Sequence, residues 1–314
     1  MQQNINLPPA YKQIIEEIGT QLQLRKKLLF KRVAMIIWPI LLGVLVGYLL
    51  NSVYDIESLS VEQETWGIIV ATVYILCSIV YARVVGFIFE IEKQIWIDSF
   101  FDQKHIDSDT SWRISKKLFW PGVVFRLKIF CRYYLLPIGS FLVLLAVAVV
   151  SLLMNTDGAD DKAGVVQYTM IILSLLAVGV VFYTYYLKIR LRYSWFIFLD
   201  TFGGVYSFRE LIEDMNKLNA ISKTETFKKS LVANLGTDSL KGLTNVVVGT
   251  LASSLSRLGG VGEALGSLTR VYGDELARQT TDLANITAQY LIYKFARKEL
   301  YGKDQVVNEA LYRL

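Results

Sequence analysis

Four long apolar runs stand out along the chain, at about residues 33–53, 66–87, 135–154 and 165–187. Each suffices for a helix of roughly 20 residues crossing a ~30 Å hydrocarbon layer. Asp55 and Asp157 mark where two of them stop. No segment alternates apolar and polar residues in the manner of a half-buried strand. The pattern therefore predicts an all-α integral membrane protein, with four transmembrane helices in two tandem hairpins and a helical cytoplasmic C-terminal region. The expected divisions are an N-terminal segment over residues 1–32, a membrane domain over 33–187 with a cytoplasmic elbow at about 90–132, and a helical tail over 188–314.

Outside the apolar runs the periodicity is helical. Val84, Ile88, Ile91 and Ile95 recur at helix spacing, so the second spanning helix is expected to continue into the cytoplasm. A turn is expected at residues 105–111. Residues 112–120 then mix Trp112, Ile114, Leu118, Phe119 and Trp120 with Arg113, Lys116 and Lys117, the composition of a helix at headgroup level, which Pro121-Gly122 is expected to end. With Arg126, Lys128 and Arg132 these residues form an expected surface for the bilayer, in particular for anionic lipid at the cytoplasmic face.

In the tail, Ser207 with Glu210 and Ser222 with Glu225 fit capping boxes, each opening a helix, the second ending near Gly236. A further helix over about 239–258 carries Leu243, Val247, Leu251 and Leu255 before a stop at Gly259-Gly260. A last helix is expected from about Gly262 or Asp274 to Tyr301, with Leu276, Leu283 and Tyr290 on one face. Residues 244–256 are uncharged, and Gly249, Gly259, Gly262 and Gly266 are spaced for close helix approach, a candidate self-association surface. A hairpin packed on itself or on further copies is expected there; Lys241 and the Ser and Thr content disfavour a full fifth span, although residues 240–260 could dip into the membrane.

Composition agrees with the membrane class: 53% of the 314 residues are hydrophobic, 19% are charged, and the mean hydropathy is +0.39. The net charge of +5 comes from basic residues flanking apolar runs, which points to lipid rather than nucleic acid. Charge also orients the spans. Arg25, Lys26, Lys27, Lys31 and Arg32 precede the first, and Lys188, Arg190 and Arg192 follow the fourth, while the loops near Asp55 and Asp157 are acidic. By the positive-inside rule both termini are cytoplasmic. Arg83, the one charge within a span, is expected to snorkel to the headgroups.

A duplication is also expected. Phe30-Lys31-Arg32 answers Phe130-Cys131-Arg132, Pro39-Ile40 answers Pro137-Ile138, and Ile97-Asp98-Ser99-Phe100 answers Leu199-Asp200-Thr201-Phe202. Parallel repeats of this kind are related by an axis along the membrane normal and make Asp98 and Asp200 equivalent.

Catalytic signatures are not found. His105 is the single histidine, Cys77 and Cys131 lack zinc spacing, and no Gly-rich loop forms a phosphate cradle, so no cofactor or metal is expected. Asn285-Ile286-Thr287 matches a glycosylation acceptor but falls on the expected cytoplasmic side. No secretory cleavage site precedes the first span, and disulfides are not expected. The expected function is a non-enzymatic membrane scaffold or assembly subunit, in the bacterial inner membrane, whose C-terminal helices bind a protein partner or a second copy. The alternatives are a small transporter or channel for solute or lipid, in which Gln167 and Arg83 would act, and a membrane-active effector.

Overall fold

The computed structural model describes residues 9–53, 61–101, 106–154, 162–201, 207–221 and 223–302, and every element among them is a helix. The acidic loops with Asp55 and Asp157, together with His105, Phe202 and Ser222, lie outside the described residues. The helices are α1 (Tyr11–Val53), α2 (Val61–Phe101), α3 (Ser108–Lys117), α4 (Phe119–Tyr133), α5 (Leu135–Met154), α6 (Lys162–Arg190), α7 (Ser194–Thr201), α8 (Phe208–Ala220), α9 (Lys223–Ser256) and α10 (Gly260–Tyr301). Three stretches, within α1, within α2 and across α6 and α7, are long and apolar enough to cross a membrane. A fourth crossing is added if α4 and α5, bent by 56° at the break between them, count as one.

The chain forms two compact units: residues 1–118 with 195–314, and residues 119–194. In the second unit α5 packs against α6. Leu142, Val143 and Val147 on α5 and Leu175, Val181 and Phe182 on α6 stay exposed, an apolar surface suited to lipid rather than water.

In the first unit the first two helices join those of the C-terminal region. At 1.5 Å per residue, the 43 residues of α1 reach about 65 Å, twice the hydrocarbon thickness. A crossing needs about half of that length, and the first half of α1 packs against α10, where Ile14, Ala288 and Leu291 share a core with Ile18, Phe101 and Ala233. In the apolar half, Gly43 gives α2 room: a Cβ there would lie 2.5 Å from the Tyr74 ring, whose hydroxyl donates to the Pro39 carbonyl.

Two expected helix boundaries are corrected. Pro121-Gly122 does not end a helix; the break falls at Leu118, and Pro121 sits in the first turn of α4, where its missing N–H leaves no hydrogen bond unmade. Nor does a helix end near Gly236, because α9 runs unbroken from Lys223 to Ser256. One glycine costs a helix only about 1 kcal/mol, and α9 is held on both sides of it, at Asn234 through the Asn285 amide and at Val248 through Gly273 on α10. The first capping box is present in both halves, Ser207 accepting from the Glu210 N–H and Glu210 accepting from the Ser207 N–H. Gly259 opens the turn into α10 at φ 72°, and Gly302 closes α10 at φ 65°, backbone conformations that favour glycine.

Candidate functional site: buried polar contacts around the last helix

The part of α2 beyond its apolar run carries Glu92 and Lys93 side by side, each fully buried, so successive residues reach opposite neighbours. Glu92 faces α1. Its carboxylate accepts from Arg32 Nε at 2.8 Å and Arg32 Nη2 at 2.9 Å, a bidentate pair with 3% and 0% side-chain exposure. Ser111 of α3 donates to Glu92 Oε1 at 3.0 Å and accepts from Trp96 Nε1 at 3.0 Å. The Arg32 guanidinium lies 4.1 Å over the Trp112 ring. One ion pair thus joins α1, α2 and α3.

Lys93 faces α10. Its ammonium donates to Gln279 Oε1 at 2.7 Å and lies 3.5 Å from Asp282 Oδ2. Gln279 in turn donates to Glu275 at 2.7 Å, and Glu275 is held in a fork by Arg278 at 2.6 and 2.9 Å. These four residues recur at i, i+3, i+4 and i+7, so they share one stripe of α10. The Glu275 carboxylate holds the Arg278 guanidinium above its usual range.

Two turns further along α10, the two acidic residues of the matched tetrapeptides arrive together. Asp98 accepts from the Tyr290 hydroxyl at 2.8 Å, and Asp200 accepts from the Tyr293 hydroxyl and from Arg297 Nη1. Burial, reinforced by the Asp200 carboxylate, raises the Tyr293 phenol well above its ordinary value and keeps it a donor. Aromatic packing fixes the same turns: Phe101 stacks on Tyr290 at 5.3 Å, and Phe196 stacks on Tyr293 at 5.3 Å. On the opposite side α9 contributes Ser230, donating to Gln289 at 2.9 Å, and Asn234, accepting from Asn285 at 3.1 Å. Asn285 is thus engaged in helix packing, next to a fully buried Thr287.

The residues expected at a lipid surface divide. Arg113, Lys116 and Lys117 on α3 and Arg126, Lys128 and Arg132 on α4 are exposed, and Trp120 is 70% exposed. Trp112 instead turns inward to Arg32. Of the glycines, Gly262 and Gly266 face α9 within the same chain, whereas Gly249 has open space around it and Gly259 sits at the turn. Among the described residues no three His, Cys, Asp or Glu side chains gather in a way that could hold a metal ion.

The sequence reading missed Arg32 with Glu92, Lys93 with Gln279, and the Tyr290, Tyr293 and Arg297 series. One signal was present: Glu92 shares the helix face of Ile88, Ile91 and Ile95, placing a charge inside a face that must be buried. No protein-family model, curated protein or solved structure matches the chain.

Proposed function

We propose that the protein is a non-enzymatic membrane scaffold or assembly subunit, a multi-pass protein of the inner membrane with both termini in the cytoplasm. The carrying observation is that α1 and α2 continue from their apolar runs, without a break, into a bundle in which the buried Arg32–Glu92 pair ties α1 to α2 and the buried Lys93 ammonium ties α2 to Gln279 on α10. Buried charges placed this way tie helix to helix: Arg32 and Glu92 answer each other across α1 and α2, and Lys93 and Asp98 on α2 are answered by Gln279 and Tyr290 on α10. Such groups fix one arrangement of helices, which is what a scaffold requires. The basic residues flanking the apolar runs support the orientation. The exposed Arg126, Lys128 and Arg132, with Trp120, support contact with anionic headgroups. The convergence of Asp98 and Asp200 on adjacent turns of α10 supports a duplicated origin for the segments that carry them.

The experiment is purification in mild detergent, with mass measured by light scattering and bound proteins identified. A particle larger than one chain, or a stoichiometric partner lost when residues 223–302 are removed, is the expected result. A strictly monomeric particle with no partner overturns the reading.

A further inference from the structure

The register of α10 against α1 and α2 sets its height. Phe30, just before the first apolar run, stacks on Tyr272 at 6.3 Å, and a Cβ on Gly86, at the end of the second, would lie 3.7 Å from Arg278. Further down, Ile14 meets Ala288 and Leu291, and Asp98 meets Tyr290. Residue numbers on α10 therefore fall toward the apolar halves of α1 and α2. The segment from Gly260 to Tyr272 continues past that level by roughly 12 residues, about 18 Å. It carries α9 with it: Gly273 approaches Val248, Gly266 approaches Ala252, and Gly262 approaches Leu255, so the pair stays closed to its tip. Lys241, midway between Asn234 and Val248, is level with the Arg278 turn and marks the last charge on α9 before Arg257.

The geometry points to a re-entrant hairpin: the tip of α9 and α10 enters the cytoplasmic leaflet and presents the α9 face bearing Leu243, Val247 and Leu251 to lipid acyl chains. Residues 242–256 carry no charge, and Leu243, Val246, Val247 and Leu251 are more than half exposed, Val246 by 68%. Their hydroxyl neighbours are already satisfied. Thr244, Thr250, Ser253, Ser254 and Ser256 each donate to the carbonyl four residues earlier, at 2.7 to 2.9 Å, which lowers the cost of these hydroxyls in lipid and leaves the Asn245 amide and Arg257 at the turn as the polar groups the tip carries. Close packing through Gly262, Gly266 and Gly273 is the manner in which helices associate where water gives no hydrophobic drive. On α10 the residues Glu263, Ser267, Arg270 and Asp274 recur along one stripe, so only the α9 face is offered to acyl chains. A reach of about 18 Å falls short of the ~30 Å core, so the hairpin does not cross.

The inference rests on the membrane reading of α1 and α2 and not on the scaffold role. Its test places single cysteines in the full chain carrying Cys77→Ser and Cys131→Ser, at Val247, Leu251, Leu235 and Leu42. Reconstitution is into phosphatidylcholine–phosphatidylglycerol nanodiscs, where both faces are reachable, and the probe is a sulfonated maleimide. Val247→Cys and Leu251→Cys are expected to react at least about tenfold more slowly than Leu235→Cys and as slowly as Leu42→Cys, because a charged reagent is excluded from hydrocarbon. All four react alike after denaturation in sodium dodecyl sulfate. A fluorophore at Leu251→Cys is expected to be quenched by doxyl-labelled lipid. Fast reaction at both tip positions with Leu42→Cys protected overturns the hairpin alone. Protection without lipid quenching also overturns it, since protein then covers the face. Fast reaction at Leu42→Cys removes the membrane reading and the inference with it.

Discussion

The two halves of α10 are held by different physics. From Glu275 to Arg297 the helix is surrounded, and nearly every turn answers a polar group from α2, α7 or α9: Lys93, Asp98, Asp200, Ser230 and Asn234. From Gly260 to Gly273 it meets α9 through Gly262, Gly266 and Gly273, and meets α1 through the ring of Tyr272 stacked on Phe30. The first half is specified by charge and direction, the second by the absence of side-chain bulk. A polar contact tolerates one partner; a glycine contact only requires that nothing intervene. The difference predicts that the lower half fails when a single partner is removed, and the upper half when an atom is added.

The largest effect is expected at the ion pair joining α1, α2 and α3, the frame on which that lower half docks. Glu92→Ala leaves the Arg32 guanidinium 3% exposed and without its carboxylate, a loss of about 3–5 kcal/mol. Thermal unfolding in detergent, read by tryptophan fluorescence, measures it. Arg32→Met with Glu92→Leu is expected to recover much of the loss, because no buried charge is then stranded. If Glu92→Ala unfolds as the parent does, the pair fixes nothing.

The paired acidic residues give the next step and also sharpen the repeat question. Asp200 accepts from a tyrosine and a guanidinium, and Asp98 accepts from a tyrosine at 2.8 Å. Asp200→Asn is therefore expected to cost about 1.5–3 kcal/mol and Asp98→Asn about 0.5–1.5 kcal/mol in the same measurement. Equal losses would mean that Arg297 adds nothing at its site.

In the upper half the contrast lies between two glycines. A Cβ on Gly266 would meet the Ala252 carbonyl at 2.6 Å, whereas Gly249 has nothing within 4 Å. Gly266→Leu is expected to destabilise by about 1–3 kcal/mol through overpacking, while Gly249→Ala gains about 0.5–1 kcal/mol from helix propensity. A loss at Gly249 would instead mean that another chain approaches there.

How much of this was legible follows the same division. The apolar runs announced helices in the right places, and α5 begins at Leu135 and ends at Met154 as the run does, because hydrocarbon length is a local property. The Ser207 box was legible because its two residues are three apart. Arg32 and Glu92 are 60 residues apart, and Lys93 and Gln279 are 186 apart, so no local pattern joins them. On α10 the series Glu275, Arg278 and Asp282 looks like a solvated stripe until α2 is laid against it. Residues 112–120 have one composition whether an indole meets a headgroup or a guanidinium, so the inward turn of Trp112 was not readable. The straight course of α9 through Gly236 was hidden for a related reason: the penalty is local, and the contacts that outweigh it belong to α10.

The last effect, a change in slope with pH, concerns the Tyr293 hydroxyl, which donates to Asp200 and accepts from Arg297. Burial and then the neighbouring carboxylate lift its pKa well above 10.0. Below that value the phenol is protonated in both folded and unfolded chains, and its contribution to stability is complete. As pH rises past 10.0 the unfolded chain releases this proton while the folded chain keeps it, so stability falls, with a slope of up to about 1.4 kcal/mol per pH unit. Tyr293→Phe loses the hydrogen bond, about 0.5–1.5 kcal/mol at pH 8, yet has no such slope. The gap between parent and variant is therefore expected to narrow above pH 10, measured as unfolding midpoints on both sides of it; a gap that stays constant would show that this phenol titrates alike in the folded and unfolded chain.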